Sequence, residues 1–341
     1  MTAVVECIQE GIYRLRIPLP GNPLKELNSY WITSGEEELL IDTGFCQPAC
    51  REALSAALER LGSRPERRDV LLTHLHADHS GLAREFAGSR RRIYINRIDL
   101  NCLNQFIQGN GYAIYHQRYV QEGLPNEVAS CVERDNPVSA APETVDSRFT
   151  PLEDGQSIRV GAFELKLLLV PGHTPGNAII WMQQEGILFT GFTGDHVLFG
   201  ITPNITAWPG TVDSLGDYLD SLHRYQNLPV RRALPAHRGE GGYRERVDQL
   251  SQHHFARLNE VLSILESEPG LSAEQVAARM TWGIQADSWD TFPDVQKWFA
   301  VGECLAHLDY LFQRGHVTRT LRQEVRRYEC VSPVQWKRKE Y

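Results

Sequence analysis

Four side chains able to hold a metal ion fall within six residues of one another in the stretch Thr73-His74-Leu75-His76-Ala77-Asp78-His79-Ser80-Gly81. The run before it, Asp69-Val70-Leu71-Leu72, is short and apolar and reads as a buried strand. After it, Leu82-Ala83-Arg84-Glu85-Phe86 reads as the start of a helix, with Ser80 near its N-cap. The cluster therefore sits on a strand-to-helix turn, where a rigid scaffold usually carries its chemistry. Neutral imidazole and carboxylate are good ligands for first-row divalent ions. His74 and His76, two apart, project to one side of an extended strand end. Asp78 and His79 lie further on and face a different point. One ion cannot easily take all four from so tight a loop. Two ions about 3.5–4 Å apart can, with a hydroxide between them.

Two ions need more ligands, and three later segments repeat the same local pattern. Leu168-Leu169-Val170-Pro171-Gly172-His173 is an apolar strand entering a turn with His173 at its end. A strand over residues 186–189 leads to Thr190-Gly191-Phe192-Thr193-Gly194-Asp195. Ala233-Leu234-Pro235-Ala236-His237 offers the last candidate. Asp42, ending a strand at Leu40-Ile41-Asp42-Thr43-Gly44, has two open readings. It supports a ligand histidine through the second ring nitrogen, or it satisfies backbone donors in its own turn.

The ordered set His74-x-His76-x-Asp78-His79, His173, Asp195 and His237 resembles the metallo-β-lactamase-fold hydrolase superfamily, over roughly residues 10–250. Asn28-Ser29-Tyr30 and Leu40-Ile41-Asp42-Thr43-Gly44 resemble that family's early strands. The resemblance implies an α/β fold, an αββα sandwich, with two divalent metal ions. His74, His76 and His173 would hold one ion, Asp78, His79 and His237 the other, and Asp195 would bridge them. The oxygen and nitrogen donors suit Zn²⁺ first, with Fe or Mn as alternatives. Family members that use two irons for oxygen chemistry carry Glu at the position of His76, so the histidine points to hydrolysis. The implied reaction is attack by a metal-bridging hydroxide on an acyl carbonyl or phosphorus, with Asp78 also able to take a proton.

The rest of the chain bounds the partners. Its 341 residues suit one large domain and a smaller one. A net charge of -8 argues against a dedicated nucleic-acid binder. The N-terminal residues carry neither a basic nor an apolar stretch, and no run of eighteen apolar residues exists, so neither a signal peptide nor a membrane span is expected. Seven scattered cysteines suit reduced thiols in a cytoplasm.

Strand and helix alternate to about residue 96 and again from 156, which frames a catalytic domain at 1–245. Residues 97–145 break the alternation as a helical insertion, with one helix over Leu100–Gln121. In the family such insertions shape the substrate pocket. Tyr112, Tyr115 and, after Ile201-Thr202-Pro203, Asn204 are the residues expected there. From 246 to 341 three helices and two short strands resemble a winged helix, and Ser272 reads as an N-cap. That order resembles the lactamase-beta-2-like branch. Residues 311–341 hold eight Lys or Arg against three Glu, about +5 locally. The third helix, with Trp298, Phe299, Leu305, Leu308, Tyr310 and Leu311, is too apolar to read a DNA groove. The expected substrate is a thioester or related acyl small molecule. Single-stranded RNA, a lactone and a glutathione thioester are the alternatives. Nucleic acid is not favoured, no membrane is expected, and a homodimer is compatible.

Overall fold

The computed structural model describes residues 4–108, 110–131, 145–191, 202–283 and 286–331. They fall into two compact units. The first draws on Met1–Gln108, Pro137–Pro203 and Tyr225–Arg246, the second on Gly109–Asn136, Asn204–Arg224 and Val247–Tyr341.

The first unit is built on two sheets. The seven-stranded sheet runs in sequence order: β1 (Val4–Gln9), β2 (Ile12–Pro18), β3 (Glu26–Ser34), β4 (Glu37–Ile41), β5 (Arg68–Leu71), β6 (Ile93–Asn96) and β7 (Phe149–Leu152). The first four strands pair antiparallel. From β4 to β7 the pairing is parallel, and helices fill the crossovers: α1 (Pro48–Arg60), α2 (Ala77–Ser80), α3 (Ala83–Phe86) and α4 (Arg97–Ile107). The five-stranded sheet has β8 (Ser157–Val160), β9 (Phe163–Leu169), β10 (Ala178–Met182) and β11 (Ile187–Gly191) antiparallel in turn, then β12 (Arg232–Pro235) parallel to β11.

Alternation along the strands puts one face of each sheet against the other. Ile12, Tyr30, Ile32, Leu39, Ile41 and Leu71 of the first sheet meet Leu165, Leu167, Ile180, Met182, Ile187, Phe189 and Leu234 of the second. Each such side chain, fully buried, contributes about 1.5–3 kcal/mol. The opposite face of the second sheet is also apolar, with Leu168, Val170, Ile179, Trp181 and Leu188 packed under Tyr225, Leu228 and Val230. A two-sheet core with helices outside is the αββα arrangement.

Most elements lie where sequence patterning places them, with four differences. β1 and β7 were not expected. Both are edge strands: β1 has no fully buried residue, and β7 carries Pro151, which an edge tolerates. The single helix expected over Leu100–Gln121 is two, α4 and α5 (Asn110–Gln121), with Gly109 and Gly111 in the sequence at the join. Ser80 is not an N-cap. It ends α2, whose N-cap is His76, and its hydroxyl donates back to the carbonyls of Leu75 and His76 at 2.9 and 3.0 Å.

The second unit holds α5, α6 (Asn126–Ala129), α7 (Ser214–Tyr225, except its last residue), nearly all of α8 (Tyr243–Ser267), α9 (Ala273–Ala277), α10 (Asp294–Gln313) and the hairpin of β13 (Val317–Arg322) and β14 (Val325–Cys330). Ser272 caps α9 through a reciprocal capping box with Gln275. Helix α10 is buried along most of its length. Tyr119 of α5 stacks on Trp298 of α10, centroids 4.6 Å apart and planes 6° apart. Buried Glu122 accepts from Arg118, Arg326 and the hydroxyl of Tyr328. Among the described residues, no helix is long and apolar enough to cross a membrane.

Candidate metal centre

The ligand candidates follow the C-terminal ends of three strands: His74, His76, Asp78 and His79 after β5, the last two in α2, His173 after β9 and His237 after β12. The structure brings His74, His76 and His173 together, and Asp78, His79 and His237 together. Within each triplet the ligand atoms lie within 4.8 Å of one another. His76 Nδ1 is 3.0 Å from His74 Nε2 and 2.9 Å from His173 Nε2. Asp78 Oδ2 is 3.6 Å from His79 Nε2 and 3.4 Å from His237 Nε2. Asp195, the expected bridge, lies outside the described residues.

The far ring nitrogens fix three of the histidines, His74, His79 and His237. His79 Nδ1 donates to Asp42 Oδ2 at 2.8 Å, and His237 Nδ1 donates to the Glu26 carbonyl at 2.8 Å. Thr73 gives its hydroxyl proton to Asp42 Oδ2 at 2.8 Å, so its oxygen is left to accept from His74 Nδ1 at 3.1 Å. In His74, His79 and His237 that tautomer turns the Nε2 lone pair toward the other members of its triplet, which is what ligation requires. The first reading of Asp42 holds, and the backbone donor its Oδ1 accepts, Thr73 N–H at 2.9 Å, lies on the loop after β5 rather than in its own turn.

Backbone geometry delivers these side chains. Asp42 is left-handed, with φ 57°, a conformation its short side chain tolerates. Thr43 then holds the His79 carbonyl with both its N–H and its hydroxyl, at 2.8 and 2.7 Å. A Cβ on Gly81 would meet the Ala77 carbonyl at 2.6 Å and Cys46 N at 2.7 Å, so only glycine lets the turn close. On the other side, Asn28 and Tyr30 of β3 anchor the His237 loop. Asn28 donates to the carbonyls of Pro235 and Arg238, and the Tyr30 hydroxyl donates to Pro235.

Burial keeps His74 and His76 neutral, and the imidazoles facing Asp78 keep its carboxylate charged. Burial and the neighbouring imidazoles hold His74 well below its usual range. Burial, with His79, brings His76 down to about 4, against the pull of Asp78. Burial alone would raise Asp78, but His79 and His237 hold it well below the carboxylate range. Three imidazoles on one point and two imidazoles with a carboxylate on another fit a pair of divalent ions.

Asp99, in the first turn of α4, is a residue that sequence reasoning passed over. It is fully buried and accepts from Leu75 N, the Thr174 hydroxyl and Gly176 N at 2.9, 2.7 and 2.7 Å. Burial pushes its carboxyl up to about 6 against those three donors. In the sequence a lone acid at a helix start reads as a dipole partner, and its targets are 24 and more positions away.

The expected pocket residues belong to the second unit. Tyr115 is 5% exposed, its ring against Tyr119, Trp208 and Trp298. The Asn204 amide approaches the Phe299 carbonyl and Glu303, both at 3.3 Å. Tyr112 is half-buried on α5.

The comparison with known families is decisive for the core of the chain. Residues 25–237 match the metallo-beta-lactamase superfamily model. The chain belongs to that superfamily. Residues 290–331 match a second model, the metallo-beta-lactamase-like C-terminal domain. A metallo-beta-lactamase family protein from Thermus thermophilus superposes with TM-score 0.80 at 30% identity, over 95% of this chain and 100% of that one. A beta-lactamase domain protein from Burkholderia ambifaria gives TM-score 0.75 at 25% identity, over 96% and 95%. Among sequences, the beta-lactamase-like protein 2 homolog of Caenorhabditis elegans is 25% identical over 82% of this chain and 81% of that protein. The lactamase-like protein adaB of Aspergillus niger is 28% identical over 77% of this chain, and the match spans 66% of adaB, just under two thirds. Superfamily membership makes the protein a metal-dependent hydrolase with a mixed α/β sandwich fold.

Proposed function

We propose that the protein hydrolyses a thioester or a related acyl bond in a small organic molecule, with two divalent ions held by His74, His76 and His173 and by Asp78, His79 and His237. The observation that carries the proposal is the pair of largely buried triplets, with His74 in one and His79 and His237 in the other oriented from behind. Bound there, such ions supply Lewis acidity and a water acidic enough to act at neutral pH. The chain's own part is to aim the ligands and to keep His74, His76 and Asp78 deprotonated. Asp78 turns one oxygen to His79 and His237, and its other oxygen is the acceptor for a proton released on attack. Zn²⁺ is the ion we assign first, from the nitrogen and oxygen donors.

The described part of the basic C-terminal segment, to residue 331, supports a small-molecule substrate over RNA; Lys337, Arg338 and Lys339 lie outside the described residues. The order α8, α9, α10 and the β13–β14 hairpin, within the second unit, favours a winged-helix-like reading. Yet Arg314 pairs with Asp213, Arg319 with Asp309, Arg322 with Glu329, and Arg326 with Glu122. Arg327 donates to Gln275. Cations held by internal partners release few counterions on meeting a phosphate backbone.

The test is thiol release from short, medium and aromatic acyl-coenzyme A thioesters by Zn²⁺-loaded protein, with Asp78→Ala as control. Saturable release lost in the variant supports the reading. Two bound ions per chain without thiol release would sink it and move the same assay to single-stranded RNA and lactones.

A further inference from the structure

We propose that Asp99 is the positioning residue that sets the ion affinity of the three-histidine subsite, by locking the loop of His74 and His76 to the loop of His173. This rests on the reading that the two triplets hold ions. His74 and His76 follow β5 in the seven-stranded sheet, whereas His173 follows β9 in the five-stranded sheet. Their convergence therefore depends on how the two sheets are tied at this end.

Asp99 supplies that tie from a third element, α4. Oδ2 accepts from the N–H of Leu75, the residue between the two first-loop ligands, and from the hydroxyl of Thr174, the residue after His173. Oδ1 accepts from Gly176 N. Gly176 gives an independent sign that the approach is tight. A Cβ there would collide with the Asp99 backbone N and lie 2.7 Å from Asp99 Oδ1 and 2.9 Å from Asn96 Oδ1. One direct backbone bond, Ala178 N to the Thr73 carbonyl at 2.9 Å, joins the same loops. The other triplet is held by different groups, Asp42 and the Glu26 carbonyl. Loss of the Asp99 carboxylate should thus act on one subsite and spare the other.

Asp99→Asn keeps the size but replaces one acceptor oxygen by an NH₂ that faces a donor. The measurement is competition of Zn²⁺ between the protein and a chromophoric chelator, with Co²⁺ absorption spectra reporting each site. Wild type should take two ions tightly. Asp99→Asn should keep one at wild-type affinity and bind the second about 10–100-fold more weakly, the range for losing a group that orients a ligand. Thr174→Val removes one of the three bonds and should give a smaller loss of the same kind. Thr174→Ser should restore it. These two variants carry the test if Asp99→Asn does not fold. Two tightly bound ions in both Asp99→Asn and Thr174→Val would overturn the role of Asp99 alone. Equal weakening of both sites would reduce Asp99 to a general fold residue. A wild type that binds fewer than two ions would overturn the metal-centre reading together with this proposal.

Discussion

Asp42 Oδ2 lies 2.8 Å from His79 Nδ1 and 2.8 Å from the Thr73 hydroxyl, which in turn accepts from His74. One carboxylate thus orients a histidine in each triplet, one directly and one through a threonine. Asp42→Asn keeps the shape but supplies a single acceptor oxygen, so it cannot serve all three of its donors. Affinity for both ions should fall about 10–100-fold. Equilibrium dialysis against a metal-buffered series reads this directly. A variant that retains wild-type affinity at both sites would show that His79 and His74 are oriented without Asp42.

Removal of metal should silence hydrolysis and lower stability together. The donors of each triplet come from loops far apart in the chain, so an ion that binds the folded form alone adds stability by mass action. Free Zn²⁺ at about a thousand times its Kd adds about 4 kcal/mol. Chelated, dialysed protein should therefore unfold at lower temperature, and Zn²⁺ should restore both the midpoint and turnover. A midpoint indifferent to Zn²⁺ would mean that the triplets hold no ion in the folded protein.

How much of this was legible in the sequence follows from the range of each interaction. His74, His76, Asp78 and His79 announce themselves by local spacing, and His173 and His237 by a strand-turn-ligand pattern that each segment carries alone. Asp99 and Thr73 do not, because their roles lie in bonds to segments remote in sequence or in a hydroxyl's choice of partner. The edge strand β7 hides behind Pro151, and β1 has no buried face to set a pattern. The division of the chain was least legible. Residues 109–136 read as an insertion in the catalytic domain, yet they fall in the unit of the C-terminal helices, where Tyr119 stacks on Trp298. That association depends on ring-to-ring packing between segments about 180 residues apart, and no local periodicity encodes it.

Gly302 tests that packing. It lies within α10, where alanine is normally the better helix former by about 1 kcal/mol. Here a Cβ would collide with the Tyr119 hydroxyl and approach the Thr206 hydroxyl at 2.5 Å. These two hydroxyls bond each other at 3.0 Å and are buried, so neither can swing into water. Gly302→Ala should therefore destabilise the protein by about 1–3 kcal/mol, as overpacking does, against the propensity gain. Urea unfolding measures it. The double variant Gly302→Ala with Tyr119→Phe should recover part of the loss, and a stabilising single substitution would refute the close approach.

Glu303 should make stability depend on pH in a direction that a surface glutamate would not. Burial pushes its carboxyl up to about 7, opposed by Arg257 and the Asn204 amide and aided by Glu260. Arg257 Nε stands 3.7 Å from it and His253 Nε2 4.0 Å. The folded protein holds this proton to about pH 7, whereas the unfolded chain releases it near the ordinary glutamate value. Between those limits the folded state binds more protons, so stability falls as pH rises. Glu303→Gln carries no such proton. The stability of wild type relative to Glu303→Gln should decline from about pH 4.5 to about pH 7 by about 3 kcal/mol, then level off. Urea unfolding of both proteins at half-unit intervals across that range and about one unit beyond gives the difference curve, in which all other titrating groups cancel to first order. A flat curve would place the Glu303 carboxyl in its ordinary range, and a rising one would mean that Arg257 outweighs burial.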